Sequence, residues 1–222
     1  MINLVWKDII ILKKTLWIAP AYGFLVVFVF NHMNGGALSA ATVGVTYLLM
    51  IQACARDDKN KSEVMLNSLP LRRRDIVFAK YLSIFPYAAL GILSFLLAQS
   101  VISLAGIPFT ITKLSLVGIV GSLVTMIGMI SFYYPVYFKL GFIRSNMVGM
   151  FLFFGYFFGV GLIGSGLQKV QNPGVRNMIQ RFSNWLQPQS DWQIALYLIT
   201  FALALLAASI LLSLKFYSSR EF

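Results

Sequence analysis

Between Asn60 and Pro70 the residue types and their spacing support binding chemistry rather than catalysis. Asn60 and Glu63, three residues apart, have the form of a capping box. This predicts a short helix from Lys61 to about Ser68, stopping near Leu69-Pro70 because proline cannot continue it. On that helix Met65, Leu66 and Leu69 face one way, and Asn60, Glu63 and Asn67 the other. A small apolar face with a polar rim is what docking into a partner's groove requires. Arg72, Arg73 and Arg74 follow directly. They read as an inner-interface cluster that enforces topology and meets anionic head groups.

Residues for covalent or metal chemistry are missing. No G-x-x-x-x-G-K-[ST] run is present, and Gly164-Ser165-Gly166-Leu167-Gln168-Lys169 lacks the spacing, so no phosphate cradle is expected. The one histidine, His32, and the one cysteine, Cys54, exclude a two-histidine metal site, a cysteine-built zinc site and an internal disulfide. No serine sits in a recognisable nucleophile motif. The chain is expected to be no enzyme and to bind no cofactor or metal of its own.

The elements that must position the docking segment follow from composition. Of the 222 residues 59% are hydrophobic and 11% charged, with a mean hydropathy of +0.79. A soluble domain carries roughly 25% charge and could not hide so much apolar surface. Apolar runs cover roughly 15–33, 37–55, 79–105, 114–138, 147–167 and 193–214, none with Asp, Glu, Lys or Arg in its middle. At ~20 residues per crossing, the expectation is an all-α membrane protein with six transmembrane helices in one domain, residues 1–222. Intramembrane carboxylates of the kind proton-coupled carriers use are absent from these runs, so energy for transport would come from a separate ATPase.

The net charge of +11 is distributed between the apolar runs, which argues for membrane topology and against nucleic acid as a partner. With both termini cytoplasmic, 14 Lys and Arg lie inside and 4 (Lys113, Lys169, Arg176, Arg181) outside, as the positive-inside rule asks. Residues 1–14 are predicted to form an amphipathic interfacial helix, with Ile2, Val5, Trp6, Ile9 and Leu12 on one face and Asn3, Lys7 and Lys14 on the other. Between the fifth and sixth runs, Val175, Met178, Ile179, Phe182, Trp185 and Leu186 recur at helical spacing, predicting an external amphipathic helix, a lid or an anchor. Gly155 and Gly159 form a G-x-x-x-G whose expected role is packing within the chain. Phe151, Phe153, Phe154, Tyr156, Phe157 and Phe158 crowd the same run; lipid contact is the default and lining of a substrate path the alternative.

This arrangement resembles the permease subunit of a type-2 ABC exporter of the type V fold. The stretch Glu63-Val64-Met65-Leu66-Asn67-Ser68-Leu69-Pro70-Leu71-Arg72-Arg73-Arg74-Asp75-Ile76-Val77 with Lys80-Tyr81 is similar to an E-x-x-L-N-S-L-P pattern of small bacterial permeases, among them those of the staphylococcal phenol-soluble modulin exporters and their Firmicute relatives. The resemblance implies a pair of permeases, two copies or paralogues, with two ATPase subunits that hold ATP and Mg. It makes the short helix between spans two and three a cytoplasmic coupling helix, with Glu63, Met65, Leu66, Asn67 and Leu69 as ATPase contacts. It implies multi-pass residence in the bacterial cytoplasmic membrane and export of a hydrophobic or amphipathic substrate such as an amphipathic peptide. A haem-export permease and a self-contained channel or secondary carrier are the alternatives.

Overall fold

The computed structural model describes residues 2–30, 36–62, 65, 72–106, 115–169, 174, 181 and 189–219. Among them every regular element is helical. The helices, in chain order, are α1 (Ile2–Ile11), α2 (Ile18–Val29), α3 (Gly36–Lys59), α4 (Arg73–Leu82), α5 (Ile84–Leu104), α6 (Leu116–Leu140), α7 (Phe142–Lys169) and α8 (Asp191–Ser218).

Among the described residues five helical stretches are long and apolar enough to cross a membrane: α3, α4 with α5, α6, α7 and α8. The first apolar run differs from its expectation. Leu12 to Trp17 form a chain of turns, and α2 covers only 12 residues, about 18 Å at 1.5 Å per residue against a hydrocarbon core of ~30 Å. Pro86 interrupts the third apolar run. Its ring collides with the carbonyl four residues back, and the helix breaks at Ser83 between α4 and α5. Pro135, by contrast, stays inside α6. Gly141, at φ +77°, ends α6 with its N–H on the Tyr137 carbonyl (2.9 Å) and turns the chain into α7; a side chain there would be strained.

α3 is the central element, packed by α1, α2, α5, α6 and α7. Its sequence explains the position. Ala37, Ala40, Ala41, Thr42 and Gly44 are buried, and small side chains let neighbouring backbones come close, which is what drives association where lipid removes the hydrophobic drive. A Cβ on Gly91 of α5 would lie 2.9 Å from the Thr42 Cα, and one on Gly23 of α2 would lie 2.6 Å from the Ser94 carbonyl oxygen. Hydroxyls inside the spans bond their own helix: Thr42 Oγ1 donates to the Leu38 carbonyl and Ser94 Oγ to that of Gly91, both at 2.8 Å. No water is available in the hydrocarbon to do this instead. Outward, α8 packs on α6 and α4 and sends Phe201, Leu203 and Leu211 to the surface.

Candidate functional site

The site is a ring of four charges at the end of the bundle where α1, the last turn of α3 and α4 meet. Lys80 Nζ donates to Asp8 Oδ2 at 3.0 Å and to Asp57 Oδ2. Lys7 Nζ contacts Asp57 Oδ1 at 3.0 Å and Asp8 Oδ1 at 3.3 Å. Each carboxylate oxygen therefore receives one ammonium, each ammonium bridges both carboxylates, and the ring sums to zero charge. Asp8, Asp57 and Lys80 are buried, while the Lys7 side chain is 25% exposed. Charge is tolerated in such a place only when paired and hydrogen-bonded. The ring joins helices 50 and 72 residues apart in sequence.

Short α4 is tied to more than this ring. Tyr134 Oη of α6 donates to the Lys80 carbonyl at 3.1 Å. Tyr81 Oη lies 2.6 Å from Ser209 Oγ and 2.8 Å from Ser213 Oγ on α8. Ser209 gives its proton to the Ser131 carbonyl, so Tyr81 donates to Ser209 and accepts from Ser213. Arg73 donates to the Ser218 carbonyl at 2.9 Å, satisfying an orphan acceptor at the C-terminal end of α8. The Tyr81 and Tyr134 rings meet edge-on at 4.8 Å, and Tyr137, Phe138 and Tyr217 continue the aromatic cluster. Arg56 at the end of α3 donates to the Ile11 carbonyl and the Thr15 hydroxyl, closing the end of α1 in the same way.

α1 is helical as its periodicity predicts, but its facing is corrected. Trp6 is exposed, as an interfacial residue should be, while Leu12 is buried and Ile9 packs against the core. Lys7, assigned to a polar outer face, turns inward with Asp8 to build the ring. Asp57 and Lys80, which hydropathy alone assigns to the connection between the second and third apolar runs, are instead helical and buried.

Of the expected ATPase-coupling residues, Met65 is helical and exposed. Glu63, Leu66, Asn67 and Leu69 lie outside the described residues, as do Val175, Met178, Ile179, Phe182, Trp185 and Leu186 of the expected external helix. Arg72 precedes α4, and Arg73 and Arg74 begin it, all three exposed. Among the described residues a Cβ on Gly155 or Gly159 meets no atom within 4 Å, so no close helix contact of the kind expected there is made by them. The aromatic run divides by helix face. Phe151, Phe154 and Phe158 point outward, whereas Phe153 stacks on Tyr47 (4.6 Å) and Phe157 sits 5.8 Å from Phe30. Among the described residues no group of His, Cys, Asp and Glu is arranged to hold a metal ion.

The family model described as ABC-2 family transporter protein matches residues 3–218, nearly the whole chain. The chain belongs to this family. It is thus the membrane-embedded permease component of an ABC transporter, a class whose transport is powered by ABC ATPase subunits. No curated protein and no solved structure matches it. The permease's four-charge ring was missed at the sequence level because two of its members, Asp57 and Lys80, sit at the ends of apolar runs, where a charge reads as a topology signal. One local sign was present: on a helical wheel Asp8 falls next to Leu12, on the border of the apolar face of α1.

Proposed function

We propose that the permease forms, with a second copy or paralogue and two ATPases, an exporter of hydrophobic or amphipathic substrates in the bacterial cytoplasmic membrane. The apolar stretch through α2 counts as the first of six spans, both termini lie inside, and an external helix precedes α8. Residues 61–68 form the coupling helix, with Glu63, Met65, Leu66, Asn67 and Leu69 against the ATPase and Arg72, Arg73 and Arg74 at the inner interface. ATP and Mg stay on the ATPase, and the permease binds no cofactor.

The observation that carries this reading is the ring at the root of the 60–72 segment. Asp57 stands just before that segment and Lys80 in the last turn of α4, the helix that follows it, and the two are ion-paired. A displacement of the segment by an ATPase therefore reaches α1, α3 and α4 together. It passes to α6 through Tyr134 and to α8 through Tyr81 and Arg73. Rigid elements joined by buried polar contacts move as bodies rather than deform, so a push at the inner surface becomes a tilt of spans. The outward-facing Phe151, Phe154 and Phe158 give an apolar surface suited to an amphipathic cargo. The permease co-expressed with its ATPase is expected to retain it in detergent. The double variant Glu63→Arg with Leu66→Asp is expected to lose the ATPase while inserting normally. Retention of the ATPase by that variant removes the coupling role from this segment, and a substrate flux carried by the permease alone removes the exporter reading.

A further inference from the structure

A cavity of about 380 Å³ opens between the first turn of α4 and the last turns of α8, lined by Arg73, Arg74, Leu211, Leu214, Lys215, Tyr217 and Ser218. Three of these seven residues are cations and none is an acid. Arg73 is committed in part to the Ser218 carbonyl. Arg74 and Lys215 are exposed, and no ion pair with a carboxylate among the described residues engages either of them. Leu211 and Leu214, on the same helix as Lys215, supply the apolar lining, and Leu211 and Leu212 continue it as exposed apolar surface along a membrane-spanning helix. The cations of the lining thus ask for a phosphate and its leucines for hydrocarbon, on a helix that carries further exposed apolar residues. A soluble anion would satisfy the cations but leave the leucine wall unused.

We infer that this cavity is a binding site for an anionic phospholipid, its phosphate between Arg74 and Lys215 and an acyl chain along Leu211 and Leu214. Clusters of Lys and Arg at the end of spanning helices attract acidic head groups, and here a walled volume fixes the position. Tyr217 lines this cavity and also a smaller one bounded by Asp57 and Lys80. A bound lipid would therefore brace α4 against α8 beside the charge ring. Assignment to the inner leaflet rests on the proposed orientation of the permease; binding itself does not.

The test uses the purified full chain in a neutral detergent, without ATPase, so that its failure leaves the permease reading intact. Phosphatidylglycerol, phosphatidylcholine and inorganic phosphate are titrated separately, and bound molecules are counted by native mass spectrometry. Phosphatidylglycerol is expected to bind in preference to phosphatidylcholine and to survive an excess of inorganic phosphate. Arg74→Gln with Lys215→Gln should weaken it roughly thirtyfold. Arg74→Lys with Lys215→Arg should restore it, which separates lost charge from lost folding. Equal retention of the two lipids, displacement by inorganic phosphate, or unchanged phosphatidylglycerol binding in the glutamine variant would each overturn the assignment.

Discussion

α3 and α8 both qualify as membrane-spanning, yet they occupy opposite places. The apolar window of α3 is 78% buried and that of α8 only 17%, although α8 has the higher mean hydropathy of the two. In a soluble protein the order would be reversed. Lipid solvates leucine as well as a protein core does, so the most apolar helix gains little from being inside. The centre goes to the helix whose small residues permit close backbone contact and whose polar groups need partners. α3 brings Ala, Gly and Thr along its length, and Asp57 near its end. α8 brings Leu, Ile and Phe, and meets the interior through Ala195, Ala202, Ser209, Ser213 and Tyr217.

The contrast can be broken or sharpened by substitution, with unfolding in detergent as the measurement. The largest effect is expected for Lys80→Met, which leaves two buried carboxylates facing one partly exposed lysine. Removing one partner from a buried ion pair costs about 3–5 kcal/mol. Adding Asp8→Asn should recover part of that loss, since the remaining Lys7 and Asp57 still form a neutral pair. Next comes Met50→Ala in α3, fully buried, at about 2–5 kcal/mol; Leu211→Ala, on the exposed face of α8, should stay within about 0.5 kcal/mol. A comparable loss at both positions would erase the distinction between the two helices. The smallest pair concerns glycine. Gly91→Ala drives a methyl against the backbone of α3 and should cost about 1–3 kcal/mol. Gly155→Ala meets open space and should be neutral or slightly stabilising, by up to about 1 kcal/mol. Destabilisation by Gly155→Ala would show that a neighbour covers that face.

Much of the fold was legible because apolar runs and helices coincide in a membrane protein. The runs 37–55, 114–138 and 193–214 became α3, α6 and α8, each running two to four residues beyond the C-terminal end of its run. Those extensions are where sequence reading fails. The last turn of α3 runs through Arg56, Asp57, Asp58 and Lys59, a string that hydropathy assigns to a loop. What makes it helical is tertiary: Asp57 meets Lys80 and Lys7, and Arg56 caps α1. Partners 23 and 50 residues away leave no local pattern. Conversely, the run through Thr15–Phe30 reads as one span by hydropathy, but its first residues are spent on turns that place Thr15 beneath Arg56. The six aromatics of α7 were countable, whereas their division into inward and outward faces needed the neighbouring Tyr47 and Phe30.

The account turns on the charge ring as the link between an ATPase and the spans. The most direct measurement is ATP turnover and substrate export in proteoliposomes that hold the ATPase with the permease variant Lys80→Met, Asp8→Asn, compared with wild type. The variant is predicted to keep the ATPase bound through residues 60–70 while ATP hydrolysis no longer drives export. Export coupled to hydrolysis as in wild type, in a variant whose ring is demonstrably gone, would contradict it.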